Sequence, residues 1–459
     1  MSRILLRNLV ALGFLLNAAA CLAQSNSPVG DGVDAAIAKS GSTRVLVMFD
    51  AGPLGNEKAS DIGRIEQIRA VRESILGSAK SADYKVRRTF ATVPGFAVEL
   101  NAKGLEALRQ DPRVQKIDLD LGGSGHLSQA RPLARMTDVF NLGLRGAGIK
   151  VAVIDSGIDL THPDFAGRIV GQQCFCAGPS GAVGCCPNAL DTQSGSGAAA
   201  DDHGHGTNVT GIVAGAGGIA QPGGAPAASI VSVKVLDSNN SFCCTSDVVA
   251  GLDWILTQHP DTKVVNASLG TGTLFSSSCD TSSSFSQAMA TAVNNLVANG
   301  TMVFASTGNQ RSATSTSAPA CVVNAIAVGA VYDSAQGNTF YSFFGCGDNN
   351  TQADQATCFT NSNATVDMYA PGASITTTGR GGGLSTFTGT SQATPLAAGC
   401  AAAIRAQYPS ATLSAVEAAL KASPTRITDP KNGLSFPRLD CLDALMRVQP
   451  TQIFHNGFE

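Results

Sequence analysis

The sequence has few charged residues, few aromatic residues and, after its first 23 residues, no long apolar run. Charged residues make up 14% and aromatic residues 5% of 459 residues, and the formal net charge is −3. The absence of a basic stripe argues against a nucleic-acid partner. The absence of a second long apolar run argues against a membrane span. The 44% hydrophobic content and the 50 glycines are instead typical of a large globular protein.

Residues 1–23 are predicted to be a secretory signal. Arg3 and Arg7 precede an apolar run over residues 9–16, and small residues flank a cleavage point after Ala23. Lipoprotein cleavage before Cys21 and a buried terminal helix are the alternatives. We therefore expect export, either to the cell exterior or to the periplasm.

Of the 13 cysteines, one lies in this signal, so an even number enters an oxidising compartment. Disulfides are the favoured interpretation, and Cys346 with Cys358 and Cys400 with Cys441 are plausible pairs by position. One sequence does not prove the pairing. A thiolate metal site within residues 174–186 is the alternative, although the spacing fits no zinc pattern well.

Residues 43–120 carry alternating strand and helix patterns in the order βαββαβ, which predicts a small α+β ferredoxin-like domain. The expected elements are strands at 44–49, 85–92, 95–100 and 114–119 and helices at 62–75 and 102–110. Residues 24–42 are small and polar, so we expect a flexible linker there. The glycine-rich residues 122–125, within a linker over 121–127, are expected to be exposed.

Residues 128–447 alternate apolar strands with helices, which predicts a mostly parallel sheet with helices on both faces. The expected elements are strands at 150–154, 229–236, 263–268, 301–306 and 322–328 and helices at 246–258, at 284–299 and from about 391. Ser246 is expected to cap the first of these helices. In such sheets the active site lies beyond the carboxyl ends of the strands.

Two polar stretches with cysteines interrupt the alternation, at 174–197 and 345–363. We interpret them as surface insertions stapled by disulfides, with walls of a substrate groove as the alternative. Residues 448–459 form a C-terminal tail to which the sequence assigns no catalytic role.

Three polar segments predict a nucleophilic site. Asp155 follows an apolar strand, His205 opens a helix, and Ser391 begins an apolar helix within Gly-Thr-Ser-Gln-Ala-Thr-Pro. A serine hydroxyl is a weak nucleophile unless a base activates it, and a carboxylate can orient that base. The order Asp, His, Ser is one of the three known for such triads. We predict that these three residues are catalytic.

Each residue alone has an ordinary structural interpretation. The conjunction of all three in suitable local contexts argues for catalysis. A metal site formed by His203 and His205 with Asp201 and Asp202 is the alternative at the histidine.

Asn309 ends the strand-like run 304–309 and is predicted to serve the same chemistry. Acyl transfer produces an oxyanion, which is stabilised by preorganised hydrogen-bond donors. The Asn309 side chain and the Ser391 backbone N–H are predicted to form this oxyanion hole.

At these residues the sequence resembles the subtilisin-like serine proteases, the subtilases of peptidase family S8. The segments that carry the resemblance are 151–157, 162–164, 205–207, 230–236, 265–270, 305–309 and 389–395. The resemblance covers about residues 128–447. Residues 43–120 look like the family's I9-like inhibitory propeptide, which acts as a folding chaperone and temporary inhibitor.

The resemblance also implies which residues contact the substrate. The implied substrate-binding residues are Ser238, Asn239, Asn240, Ser241, Ser268, Leu269, Gly270, Ala305, Ser306 and Gly308. The family often has a histidine where this chain has Asn208 and a methionine where it has Gln392. Neither departure removes a reacting group.

A structural calcium ion is possible by resemblance, because Gln129 and Asp164 match positions that bind calcium in relatives. The loop 216–222 lacks the expected asparagine ligand. No cofactor is expected for catalysis.

The function expected is that of a secreted, monomeric serine endopeptidase made as a zymogen. Its partners are polypeptide substrates and its own propeptide in cis, with self-cleavage within 122–128, after Leu127. Small residues such as Ala267, Gly270 and Ala305 around the specificity pocket favour uncharged side chains. The alternatives are an inactive binding protein on the same fold and an esterase-type hydrolase. No Gly-x-Ser-x-Gly elbow surrounds Ser391, which argues against the esterase.

Overall fold

The computed structural model describes residues 28–448 except 31, 54–57, 121–122, 126–132 and 179–181. The predicted signal, the predicted cleavage position after Leu127, the predicted calcium ligand Gln129 and tail residues 449–459 therefore lie outside the described residues.

Helices and strands alternate through most of the described chain. The helices are α1 Val33–Ser40, α2 Ile62–Leu76, α3 Ala102–Arg109, α4 Met136–Asn141, α5 His205–Ala214, α6 Thr245–Gln258, α7 Ser284–Ala298, α8 Thr390–Gln407, α9 Leu413–Lys421 and α10 Cys441–Val448. The first strands are β1 Ser42–Phe49, β2 Tyr84–Thr89, β3 Gly95–Asn101, β4 Val114–Leu119, β5 Gly123–Gly125, β6 Lys150–Asp155, β7 Ile169–Phe175, β8 Thr192–Ser194, β9 Ser229–Lys234, β10 Ser241–Phe242, β11 Val264–Ala267 and β12 Leu269–Thr271. The remaining strands are β13 Leu274–Phe275, β14 Met302–Ser306, β15 Thr316–Ser317, β16 Ala325–Val331, β17 Gly337–Tyr341, β18 Cys346–Thr351, β19 Met368–Pro371, β20 Ile375–Gly379, β21 Gly383–Phe387, β22 Arg426–Thr428 and β23 Ser435–Pro437.

The small domain has the predicted βαββαβ order in β1, α2, β2, β3, α3 and β4, and its antiparallel sheet has the strand order β2-β3-β1-β4. Strand β1 is buried on both faces. Val45 and Val47 lie in the domain's own core, whereas Leu46 and Met48 lie in a core shared with the large domain. Side chains alternate along a strand, so one apolar run supplies both faces.

The predicted linker over 24–42 is wrong for residues 33–40, which form α1. Val33 and Ile37 are four residues apart and therefore lie on one helix face, where both are buried in the small domain's core. The mostly small and polar composition concealed this short apolar stripe.

The large domain contains an eight-stranded sheet with the order β19-β16-β14-β11-β6-β9-β7-β8. All neighbouring pairs are parallel except β7 with β8. Val151 and Val153 of β6 face a core that includes α5 and α8, whereas Ala152 and Ile154 face a core that includes α6 and α7. This is the predicted parallel sheet with helices on both faces, and its five predicted strands are all present.

The predicted serine cap of α6 is wrong. The N-cap residue is Cys244, whose side chain makes no capping bond. Asp120 of the small domain instead accepts from the Ser246 backbone N–H at 2.8 Å and from its hydroxyl at 2.5 Å. A carboxylate at this helix terminus satisfies an otherwise unpaired N–H group and interacts favourably with the helix dipole.

Six disulfides lie within residues 174–441, all in the large domain. Cys346 pairs with Cys358 and Cys400 with Cys441, as predicted. The four cysteines within 174–186 form two disulfides, which excludes the thiolate alternative there. In the part of the chain that is described, no helix combines the length and the apolar character needed to cross a membrane.

Candidate active site

Asp155 and His205 meet at the carboxyl end of β6. The Nδ1 atom of His205 lies 2.6 Å from Oδ1 of Asp155, and both side chains are buried. Gly206 makes this approach possible, because a Cβ atom there would lie 2.1 Å from the carbonyl oxygen of Gly157. The strand end and the start of α5 can therefore touch without a steric clash.

Asp201 holds the loop that carries His205. Its carboxylate accepts hydrogen bonds from the Gly204 N–H, from the Thr207 N–H and hydroxyl, and from the Ser156 hydroxyl. Burial opposes ionisation of Asp201, but these hydrogen bonds outweigh it and lower its pKa. This carboxylate is thus occupied by protein donors, which argues against the metal alternative at the histidines.

Lys234 was not singled out from the sequence, yet it joins the two loops that carry Asp155 and His205. Its buried Nζ donates to the carbonyl oxygens of Ser156 and Leu236 and to Oδ1 of Asp202, at 2.7–3.0 Å. The available signal was a lysine within an otherwise apolar strand. A buried cation of this kind is retained where several acceptors surround it.

Phe387 and His203 border His205. The Phe387 ring centroid lies 6.2 Å from both imidazole rings, stacked on His203 and edge-on to His205. Burial and the nearby His205 lower the pKa of His203. These contacts make His203 part of the wall around His205, a position that the sequence did not reveal.

Ser391 lies in the first turn of α8 and forms two reciprocal hydrogen bonds with Ser268. The Ser391 hydroxyl donates to the Ser268 carbonyl oxygen at 3.0 Å, and the Ser268 hydroxyl donates to the Ser391 carbonyl oxygen at 2.5 Å. Pro395 explains the second bond. Proline has no N–H to offer the carbonyl four residues earlier, which here is Ser391. Ser268 supplies the donor that the helix lacks.

Helices α5 and α8 pack together beside these residues. The Gln392 Nε2 atom donates to Asn208 Oδ1 at 2.8 Å, and both side chains are buried. Asn208 lies one turn after His205, and Gln392 follows Ser391 directly. The structure thus brings the three predicted catalytic residues to one end of the sheet.

Asn309 is oriented by the residue before Ser391. Its Oδ1 accepts from the Thr390 backbone N–H at 2.8 Å and from the Thr390 hydroxyl at 3.0 Å. Its Nδ2 is buried and has no hydrogen-bond partner among the described residues. The fixed oxygen holds the amide in one orientation and leaves the Nδ2 donor available.

Residues 123–125 do not form the expected exposed linker but the middle strand of a three-stranded sheet, between β10 and β12. In the antiparallel register Ser241 pairs with Ser124, and Gly270 also pairs with Ser124. The two outer strands contain three of the predicted substrate-binding residues, Ser241, Leu269 and Gly270.

The other predicted substrate-binding residues lie around this sheet. Ser238, Asn239 and Asn240 form the turn before β10, where Asp237 Oδ1 accepts from the Asn239 and Ser241 N–H groups. Ala305 and Ser306 are buried at the end of β14, and the Ser306 hydroxyl donates to the Leu269 carbonyl oxygen. The Gly308 N–H donates to the Thr390 hydroxyl.

The surroundings of Asp164 do not fit a calcium ion. Its Oδ1 accepts from the backbone N–H groups of Gly218 and Ile219, and its Oδ2 accepts from that of Ala220, at 2.7–3.0 Å. Calcium requires six to eight oxygen ligands, whereas this loop presents N–H donors to the carboxylate. Burial opposes ionisation of Asp164, but the three donors outweigh it and lower its pKa.

A model of the subtilase family matches residues 146–436. The chain is 32% identical to Subtilisin E from Bacillus subtilis strain 168 over 389 residues, which are 82% of this chain and 87% of that relative. It is 30% identical to an extracellular serine proteinase from Thermus sp. strain Rt41A over 79% of this chain and 82% of that relative. A crystal structure of a cold-adapted subtilisin-like serine proteinase aligns with a TM-score of 0.49 and 27% identity, over 65% of this chain and 90% of that chain.

Proposed function

This chain belongs to the subtilase family and is a serine-type endopeptidase; we propose that it acts through Asp155, His205 and Ser391 and is made as a secreted zymogen. The buried Asp155–His205 contact of 2.6 Å is the observation that carries this proposal. A carboxylate at this distance fixes the tautomer and orientation of the imidazole and stabilises its protonated form.

The mechanism starts with the attack of the Ser391 hydroxyl on the peptide carbonyl carbon. His205 Nε2 accepts the hydroxyl proton as the serine oxygen bonds to carbon. His205 then passes this proton to the leaving amine when the C–N bond breaks, which leaves an acyl-enzyme. A water molecule repeats the sequence, with His205 again as the base, and releases the acid product. Neither step requires a cofactor.

The oxyanion formed at each step is proposed to bind Asn309 Nδ2 and the Ser391 backbone N–H. The fixed Asn309 Oδ1 supports this role, because it holds the amide in one orientation before substrate arrives. A donor that is already oriented needs little reorganisation when the negative charge develops.

The zymogen proposal rests on the position of residues 123–125. They form a strand that pairs with the edge of β10 on one side and the edge of β12 on the other, by the backbone pairing through which an extended peptide binds to an open edge. Residues 43–120 would then be the inhibitory propeptide, residues 128–447 the peptidase, and 121–127 the processing linker cut within 122–128. The same sheet edge would afterwards receive polypeptide substrates, and the peptidase would act as a monomer.

Export is proposed from the predicted signal and the six disulfides. One relative is also named as extracellular.

The small residues Ala267, Gly270 and Ala305 support a preference for uncharged side chains beside the scissile bond. A peptide panel that strongly favoured arginine or lysine at that position would contradict this preference.

The test compares casein degradation and N-terminal sequence for the wild type, Ser391→Ala and the exposed control Ser414→Ala. We expect the wild type and Ser414→Ala to degrade casein and to lose residues up to about 127. Ser391→Ala is expected to keep the small domain attached and to lose casein activity. Equal activity in Ser391→Ala and the wild type would refute Ser391 as the nucleophile.

A further inference from the structure

We infer that part of the disulfide-stapled insertion is a docking arm for the small domain, and that Arg88 is the side chain it recognises. The docking arm is defined here as residues 174–178 and 185–194. This inference rests on the proposed function, because it assigns to the insertion the task of retaining the propeptide.

The docking arm is held rigidly at the edge of the large sheet. The disulfides Cys174–Cys186 and Cys176–Cys185 close it. Strand β8 runs antiparallel to β7, with Phe175 opposite Thr192. The arm is therefore ordered by the large domain's own covalent and backbone bonds, and its binding surface exists before a partner arrives.

Arg88 of β2 reaches across the domain boundary and is only 7% exposed. Its Nη2 donates to the carbonyl oxygen of Asp191 in the arm at 2.5 Å. Its guanidinium carbon lies 5.7 Å from the centre of the Phe175 ring, also in the arm. Its Nε donates to Asp247 Oδ1 of α6 at 2.9 Å. The planar guanidinium thus contacts the large domain in two ways: its face lies over the Phe175 ring, and its Nε and Nη2 atoms donate hydrogen bonds.

Asp247 connects the arm to the same guanidinium. Its carboxylate is buried, with Oδ1 accepting from Arg88 and Oδ2 accepting from the Ala177 N–H of the arm at 2.8 Å. Burial raises the pKa of Asp247, while Arg88 and Arg44 act in the opposite direction. A buried carboxylate needs a cationic partner, so the arm and α6 together favour a partner that presents an arginine.

The residue beside Arg88 provides a matched control. Arg87 pairs with Glu99 of its own domain, and its closest atom to the Asp191 carboxylate is 3.9 Å away. The two arginines are neighbours on one strand, yet of the two only Arg88 donates a hydrogen bond to the arm. Arg44 of β1 also reaches Asp247, at 3.6 Å, but it contacts α6 and, within the described residues, not the arm. The partner that fits the arm is therefore the chain's own small domain, recognised there through Arg88.

The first experiment measures how long the small domain is retained in the full chain. Purified wild type, Arg88→Ala, Arg88→Lys and Arg87→Ala are followed by the lag before peptidase activity appears and by co-elution of the two domains on size exclusion. Truncating one partner of a buried charge pair typically costs at least about 2 kcal/mol, which corresponds to about 30-fold. We expect Arg88→Ala to shorten the lag by about that factor and Arg87→Ala to change it less than about twofold.

The second experiment removes the dependence on self-cleavage. In the Ser391→Ala chain, hydrogen exchange of the β2 and β3 amides reports docking directly. Adding Arg88→Lys, which keeps the charge but not the planar fork, should accelerate this exchange at least several-fold, and adding Arg87→Ala should not. Phe175→Leu tests the arm side if an Arg88 variant fails to fold.

Equal lags and equal exchange for the Arg88 and Arg87 variants would overturn the proposal that the docking arm recognises Arg88. A wild type that never self-cleaves, but whose exchange still depends on Arg88, would instead refute the zymogen proposal and leave the docking contact supported.

Discussion

The small and large domains are both built around apolar cores, but they are held in different ways. Every disulfide of the described chain lies in the large domain, between residues 174 and 441. The small domain has no disulfide among its described residues and meets the large domain through charged and polar contacts as well as through β1. The proposed removal of the small domain requires contacts that water can replace, whereas the proposed export of the large domain favours covalent bonds that persist.

The polar contacts between the domains are concentrated at two helices. Asp120 binds the Ser246 N–H at the start of α6, and Asp118 binds the Ser284 N–H at the start of α7. In return, the large domain's Asp253 accepts from the Ala91 N–H at 2.6 Å. Water can replace each of these donors and acceptors. Separation of the domains after the proposed cleavage would therefore break no further covalent bond.

The largest expected effect is a loss of stability in the large domain when the disulfide that joins α8 to α10 is removed. In the chain-entropy model, the Cys400–Cys441 separation of 41 residues corresponds to about 4 kcal/mol. Cys400→Ala with Cys441→Ala should lower the large domain's free energy of unfolding by about this amount in guanidinium denaturation.

The matched control is Cys346→Ala with Cys358→Ala, which opens a separation of only 12 residues and should cost about 3 kcal/mol. Exchange of the small domain's core amides should be unchanged in both pairs. Equal destabilisation of both domains would show that they unfold as one unit.

Asn309→Ala tests whether the large domain's proposed oxyanion hole also serves the proposed cleavage between the two domains. Removing one oxyanion donor costs about 10²–10³ in turnover, a size established for subtilisin itself, a relative of this chain. Asn309→Ala should lower kcat by this factor with little change in KM, and should slow self-processing equally. A large rise in KM at unchanged kcat would contradict the proposed role.

Asp164→Asn tests how much the hydrogen bonds to the Asp164 carboxylate stabilise the large domain. Hydrogen bonds to charged groups contribute about 1.5–3 kcal/mol, so Asp164→Asn should lower the free energy of unfolding by about 2 kcal/mol at pH 7. Burial opposes ionisation of Asp164, but the three N–H donors outweigh it and hold its pKa below the ordinary value of 3.8. The stabilisation is thus present above that value and lost as pH falls through the lower folded pKa.

Chemical denaturation of the wild type and Asp164→Asn from pH 7 to pH 3 checks the direction of this pH dependence. The difference between the two should shrink below about pH 4. A difference that grows on acidification would show that Asp164 is stabilised in its protonated form.

The smallest expected effect is that of a chelator. Since backbone N–H groups already satisfy Asp164, EDTA should change the melting temperature of the wild type and of Asp164→Asn by the same amount. A calcium-dependent rise in the wild type that Asp164→Asn abolishes would show that the loop 216–222 rearranges to bind the ion.

Much of the fold followed from local patterns. Continuous apolar runs predicted β6, β9, β11, β14 and β16, because a strand covered by helices on both faces carries no alternation. Three strands of the large sheet were missed, namely β7, β8 and β19, and none has such a run. Strand β7 contains Gln172 and Gln173, β8 spans only three residues, and β19 spans only four. The pattern was weakest where a strand lies towards the edge of the sheet.

Two other errors share one physical cause, which is that the deciding partner is distant in the chain. Ser246 looked like a helix cap, but the carboxylate that binds its N–H comes from Asp120, 126 residues earlier. Residues 123–125 looked like a free linker, but β10 and β12 supply their hydrogen bonds. No local window contains these partners.

The sequence by itself determined the chemical groups of this protein: a carboxylate, an imidazole, a hydroxyl and an amide, each at the end of a recognisable strand or start of a helix. It did so because such element boundaries depend on near neighbours in the chain. Only the tertiary structure decided which atoms meet. It fixed the orientation of the Asn309 amide through its oxygen, and it placed Arg88 against the docking arm. Those contacts depend on how distant segments pack.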